Sequence, residues 1–422
     1  MELSNQENTY IQKLVKDAKK AGIELRTAGT VKKNAALKYL ADLLDFERAE
    51  IKLINSQDIE IAQQESLPEA MIDRLMISDK VIDSMIKSLH DIIALKDPVG
   101  EIISGSTLPN GLNLRKIRVP IGVIGIIYES RPNVTIDVGA LCLKSSNAVI
   151  LRGGKEAILS NKKLAQLFQS ALKSQSIPFG AVQLLEQTQR NLMYAMLRMQ
   201  KEIDLIVPRG GEGLIHYVVE NSLIPVIKHD KGVCHIYVHK TADIEKAIPV
   251  ILNSKIQRPG VCNAAETLIL DKSLAWAQDA LKTLIENGVT LHGDTMTREY
   301  FGNIAMDNLT DEGYHKEYLS LDISVKVVDD MTSAIHHINE YSSGHSEAII
   351  AEDYSAIEVF LQKMDSAALF VNASTRFHDG GQFGLGAEVG ISTGKLHCRG
   401  PMGLADLTTS KYIVTGNGQI RD

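Results

Sequence analysis

The chain reads as an α/β protein built on two parallel-sheet domains, and three observations carry that reading. Short apolar runs alternate with helical patterns along most of the 422 residues. Between Val119 and Glu220 the unit of strand, loop and helix runs three times, and from Gly232 the pattern restarts. Each of the first three strands ends in a turn rich in Gly, Pro or Asn, at the strand end where such sheets place their ligands.

Residues 1 to about 95 repeat apolar positions at helical spacing, as in Ile11, Leu14, Val15 and Ala18, and are expected to form a helical packing layer. From Asp97 to Arg118 the texture changes to alternating apolar residues around Gly105-Ser-Thr-Leu-Pro-Asn-Gly111, a hairpin tip. An extended hairpin of this kind folds onto its own sheet or pairs with another subunit, and it points to a homo-oligomer, dimer or tetramer. Val119–Tyr128, Asn147–Leu151 and Asp204–Val207 follow as strands, leading into helices from Val134, to about Ser174 and to Glu220. The second set places strands at Cys234–His239, Glu266–Asp271, Val289–His292, Leu319–Val328, Ser346–Ala351 and Ala367–Val371. Helices are expected over Thr241–Lys255, Ser273–Asn287, Thr332–Tyr341 and Ala356–Met364. Thr408–Gly416 reads as a late strand able to pair with the early hairpin. The implied boundaries are residues 1–231, 232–371 and a tail, 372–422, returning to the first domain.

A hydrophobic content of 44% and a charged content of 23% are those of an ordinary globular protein. The net charge of −7 speaks against a nucleic-acid or membrane-surface partner. Four scattered cysteines, Cys142, Cys234, Cys262 and Cys398, fit neither a disulfide framework nor a metal cluster, and the histidines show no metal spacing. His336, His337 and His345 are expected on a helix surface and a loop. The polar N-terminus shows no leader, and a cytoplasmic protein with reduced thiols is expected.

The chemistry concentrates at Gln257-Arg-Pro-Gly-Val-Cys262-Asn-Ala-Ala-Glu-Thr267. A Pro-Gly turn presents a thiol among small residues, which leaves room for a carbonyl and aims backbone N–H groups at a developing oxyanion. Two Gly-Gly turns, Gly153-Gly154 and Gly210-Gly211, each precede a helix whose free N–H groups suit phosphates. Arg152 and Lys155 stand at a strand end that would face an adenosine ribose. Two cations there suit a 2′-phosphate and hence NADP(H), although a pair of solvated surface cations has the same appearance. Gly384-Leu-Gly386-Ala-Glu-Val-Gly390 has the wrong spacing for a dinucleotide fingerprint.

The order of these motifs resembles the aldehyde dehydrogenase superfamily. The finer wording lies in Tyr128-Glu-Ser-Arg-Pro-Asn-Val-Thr-Ile-Asp137, Ile206-Val-Pro-Arg-Gly-Gly211, His229-Asp-Lys-Gly-Val-Cys-His235, the Cys262 turn and Gly384–Gly394. It is similar to the acyl-phosphate-reducing branch that serves proline biosynthesis, over nearly the whole chain. The resemblance implies an aldehyde dehydrogenase-like fold and the NADPH-dependent reduction of L-γ-glutamyl 5-phosphate to glutamate 5-semialdehyde through a cysteine thioester. It makes Cys262 the nucleophile and Asn133 the oxyanion donor. Arg152 matches the superfamily's ribose-binding Lys, and Lys155 stands where NAD-linked members carry a Glu. Gly210 and Gly211 fall in the cofactor turn, and Glu317 falls where a carboxylate holds the nicotinamide ribose.

Arg131, Lys228, Arg258 and Arg376, placed beside the motifs, are candidates for the substrate's phosphate and carboxylate. The segment that carries a water-activating Glu in hydrolytic members reads Ile227-Lys-His-Asp-Lys-Gly232, with His229 and Asp230 left as possible bases. Whether a glutamate kinase docks as a partner to hand over the labile acyl phosphate is left open by the sequence. The competing readings are a CoA-linked acylating enzyme and a non-catalytic nucleotide-binding scaffold.

Overall fold

A computed structural model describes residues 3–228 and 231–421, apart from the Ala70 side chain. The chain divides into two compact units. The first comprises Met1–Lys228, Gly384–Gly390 and Met402–Asp422, and the second His229–Phe383 and Ile391–Pro401. The segment after 371 is therefore shared between the units.

The first unit opens with five helices, α1 (Asn5–Leu25), α2 (Thr30–Phe46), α3 (Arg48–Gln64), α4 (Glu69–Leu75) and α5 (Asp79–Ala94). Helix α1 starts where Ser4 and Glu7 bond each other's backbone N–H, a reciprocal cap that satisfies two orphan donors. Its inward face is the expected one: Ile11, Leu14, Val15 and Ala18 are all buried. Strands β1 (Ile102–Thr107) and β2 (Asn113–Pro120) form the hairpin, and Thr408–Thr415 adds antiparallel to β2 as a third strand.

The parallel sheet of this unit comprises β3 (Val123–Tyr128), β4 (Ala148–Arg152), β5 (Val182–Leu184) and β6 (Leu205–Arg209), in the order β5-β4-β3-β6. Helices α6 (Val134–Lys144), α7 (Ile158–Ser174), α8 (Arg190–Met196) and α9 (Glu212–Asn221) connect its strands or follow them. Two lysines are buried behind it. Lys33 pairs with Asp97 at 2.6 Å, and Lys144 donates to Asn34 Oδ1 and the Ile93 carbonyl. They tie the helical layer to the end of α6.

The second unit is built on one seven-stranded sheet, in the order β10-β9-β11-β8-β7-β12-β13, with every neighbouring pair parallel. Its strands are β7 (Cys234–Val238), β8 (Ala265–Asp271), β9 (Thr290–Gly293), β10 (Asp307–Asn308), β11 (Asp322–Val328), β12 (Ser346–Ile350) and β13 (Ala368–Val371). Its helices are α10 (Ile244–Ile256), α11 (Ala277–Glu286), α12 (Thr295–Tyr300), α13 (Met331–Tyr341) and α14 (Tyr354–Lys363). Side chains alternate between two cores. Ile236, Leu268, Leu270, Val325 and Ala348 face one layer, while Tyr237, Ile269 and Ile349 face the other.

The strand expected over Val119–Tyr128 begins at Val123, because Val119 and Pro120 belong to β2 and Gly122 turns the chain at a φ of 140°; other boundaries shift for local reasons as well. The strand expected from Leu319 begins at Asp322, because Leu319 takes a φ of 56°, a left-handed turn that ends extended pairing. The helix expected from Ser273 begins at Ala277, because Asp271 captures both the N–H and the hydroxyl of Ser273 in a turn.

Candidate active site

In the second unit, Cys262 lies on the turn between α10 and β8 and is partly buried. Its neighbour Asn263 is buried. The Asn263 amide donates to the His378 carbonyl at 2.9 Å, and the Asn263 carbonyl accepts from Thr375 Oγ1 at 2.7 Å. The loop that carries Arg376 is thus fastened to the cysteine turn.

Behind the cysteine stands Gly232. A Cβ at that position would fall 1.7 Å from the Cys262 carbonyl oxygen, so only glycine permits the approach. The Gly232 N–H donates to Glu317 Oε1 at 2.8 Å, which brings Glu317 into the same cluster. Arg376 Nε donates to Gln257 Oε1 at 2.9 Å. Burial, followed by the charge of Arg258, pushes the Arg376 guanidinium below its ordinary value. Cys262, Glu317, Arg258 and Arg376 therefore gather in one unit.

The histidine expectation needs correction. His337 is buried between Tyr314 and Tyr341, both with ring centroids 4.6 Å away, and burial pushes it down to about 3. His345 is fully buried, with Nδ1 2.7 Å from Ser346 Oγ. Ser346 Oγ also lies 2.7 Å from His378 Nδ1, and Cys234 Sγ donates to the Cys262 carbonyl at 3.1 Å. This buried polar string under the cysteine turn was missed. The run Gly344-His-Ser-Glu347 entering a buried strand was the signal for it, since polar groups there need partners. His229 and Asp230 lie outside the described residues.

In the first unit, Asn133 is the residue before α6, and its side-chain amide donates to Asp137 Oδ2 at 3.0 Å. Burial raises the Asp137 carboxyl to about 6 against the lowering effect of that hydrogen bond. Arg131 is half-buried on the turn before Asn133, and Lys228 is exposed at the end of the unit. Arg152 and Lys155 direct their charges to different partners. Arg152 is buried, and its Nη2 donates to the Thr188 carbonyl at 2.8 Å. Its Nε has no hydrogen-bond partner among the described residues, a donor that a ribose or phosphate oxygen would satisfy. Lys155 is exposed and pairs with Glu65 at 2.7 Å. The Gly210–Gly211 turn opens α9, and the Gly211 N–H donates to Glu129 Oε2 at 2.9 Å. A Cβ at Gly210 would meet that same oxygen at 2.4 Å, so glycine admits the Glu129 carboxylate.

No group of three or more His, Cys, Asp or Glu that could hold a metal occurs among the described residues, and none of their helices is long and apolar enough to cross a membrane.

A sequence profile of the aldehyde dehydrogenase family matches residues 1–300. The chain belongs to the aldehyde dehydrogenase family. Within that family it is 51% identical over 412 residues to a γ-glutamyl phosphate reductase of Leptospira interrogans, covering 98% of this chain and 99% of the relative. The γ-glutamyl phosphate reductase of Nautilia profundicola is also 51% identical, over 97% of this chain and 98% of its own length. The crystal structure of γ-glutamyl phosphate reductase from Thermotoga maritima superposes with a TM-score of 0.95 at 45% identity, covering 98% of this chain and all of that one. An acetylating aldehyde dehydrogenase from Geobacillus thermoglucosidasius shares the fold at a TM-score of 0.72 and 18% identity, covering 99% of this chain and 98% of its own.

Proposed function

We propose that this family member reduces L-γ-glutamyl 5-phosphate to glutamate 5-semialdehyde and phosphate with NADPH, the second step of proline biosynthesis from glutamate. The observation that carries the reading is the Cys262 turn itself: a partly buried thiol backed by Gly232 and flanked by Glu317, Arg258 and Arg376. Similarity to γ-glutamyl phosphate reductases over almost the full length supports the substrate.

The Cys262 thiolate attacks the γ-carbonyl carbon, a C–S bond forms, and the C–O bond to phosphate breaks. Asn133, its amide held by Asp137, and the Cys262 backbone N–H serve as oxyanion donors. When bound, the nicotinamide supplies the hydride that reduces the thioester. The C–S bond then breaks to release the aldehyde and return the thiolate. Arg152, Gly210, Gly211 and Glu317 hold the cofactor, and the orphaned Arg152 Nε supports that assignment. Lys155 favours a 2′-phosphate once released from Glu65, a surface pair that contributes under about 1 kcal/mol. Arg258 and Arg376 bind the substrate's anionic groups, and Arg131 and Lys228 are further candidates.

The reaction is best tested in reverse, because the acyl phosphate is labile. With glutamate 5-semialdehyde and NADP⁺, NADPH absorbance should rise only when inorganic phosphate is present. Reduction without phosphate would make water the acceptor and overturn the reading. Cys262→Ser should abolish turnover while NADPH still quenches protein fluorescence.

A further inference from the structure

Cys262 and Glu317 come from different loops of the second unit, and between those loops lies an ion pair sealed from solvent. Lys255 is the penultimate residue of α10, and Glu266 is the second residue of β8. Both are fully buried, with Nζ 2.9 Å from Oε2. Such a pair adds little to stability, since desolvation offsets the attraction. Its second oxygen has another use. Glu266 Oε1 accepts the Leu319 N–H at 3.4 Å, and the Tyr318 ring lies 6.0 Å from Lys255 Nζ. Leu319, at a φ of 56°, is in a conformation that leucine holds only when its surroundings enforce it. The turn it closes presents Glu317, which accepts the Gly232 N–H behind Cys262.

We propose that Lys255 and Glu266 are positioning residues: the pair clamps the 317–319 turn and so keeps the Glu317 carboxylate in register with the Cys262 loop. The proposal deepens the functional reading and rests on its assignment of Glu317 to the nicotinamide ribose. Both side chains of the pair are sealed from solvent, and the pair acts only through the turn.

The test uses the full chain in four forms: wild type, Glu317→Gln, the neutral double variant Lys255→Met/Glu266→Gln, and Leu319→Pro. Leu319→Pro removes the clamped N–H and forbids a positive φ. Its side chain is exposed, so it provides a folded variant even if the buried double variant does not fold. NADPH affinity by nicotinamide fluorescence, KM for NADP⁺ and for phosphate, and melting temperature are measured for each. The double variant and Leu319→Pro should raise the KM for NADP⁺ about tenfold, the scale of one ordered hydrogen bond to a charged group. The KM for phosphate should stay near wild type. A lower melting temperature with an unchanged KM for NADP⁺, while Glu317→Gln weakens NADPH, would overturn the clamp and leave the assignment of Glu317 standing. Unchanged NADPH affinity in Glu317→Gln would overturn that assignment and the clamp together.

Discussion

At the start of α6 an amide and a carboxylate one helical turn apart hold each other, and the consequence is a pH dependence. Burial holds the Asp137 carboxyl up at about 6, well above the ordinary aspartate range. A carboxyl raised in this way adds stability that is complete below pH 4 and lost as pH rises through 6. Asp137→Asn should therefore flatten the fall in stability between pH 4 and pH 7, by on the order of 1–2 kcal/mol given the partial exposure of the side chain. Urea midpoints at the two pH values measure it; an unchanged slope would assign the fall to other groups. Gly232→Ala is a second residue-scale case. The new methyl group collides with backbone rather than a movable side chain, so the Cys262 turn must shift. Turnover should drop at least about a hundredfold, the scale of a misplaced reacting group, with circular dichroism showing a folded chain. Cys262 stands out in the sequence because a Pro-Gly turn presents its thiol locally, whereas Asn133 is singled out only by the family resemblance. Lys255, Glu266 and His378 do not stand out, since what makes them notable is burial, and burial depends on which distant segment packs over them.

Between residues and the whole chain, the strands were the most readable elements. Strand β8 is buried along its full length, and the apolar run Leu268–Leu270 suits a strand in a sheet covered on both faces. Leu268→Ala should lower unfolding free energy by about 2–5 kcal/mol, read from denaturant titration, with little change in the slope. The elements that escaped are short. Strand β5 has three residues, and α8 and α12 have seven and six. None is long enough for a period to emerge from the local composition. Helix α10 forms although Pro249 lies inside it, because its Asp243 cap and apolar face outweigh one lost backbone bond; that cap starts it at Ile244 rather than at the expected Thr241.

For the molecule as a whole, the sheet of β1, β2 and Thr408–Thr415 ends on both sides in open edges. Strand β1 is exposed at every position, and Ile102, Ile103, Tyr412 and Val414 present apolar side chains to solvent. Edges of this length invite pairing with another copy, which is the expected route to a homo-oligomer. Ile103→Lys together with Tyr412→Glu should shift sedimentation toward a smaller species. An unchanged sedimentation coefficient would place any oligomer contact elsewhere.

The strand Thr408–Thr415 has a further effect, which is on timing. During synthesis the ribosome releases all seven strands of the second unit before the strand that completes the hairpin sheet of the first. The nascent first unit therefore waits with β2 unpaired on one side while the thiol-bearing sheet closes. In that interval the β2 edge is open to any passing strand, its own or that of a neighbouring chain on the same messenger.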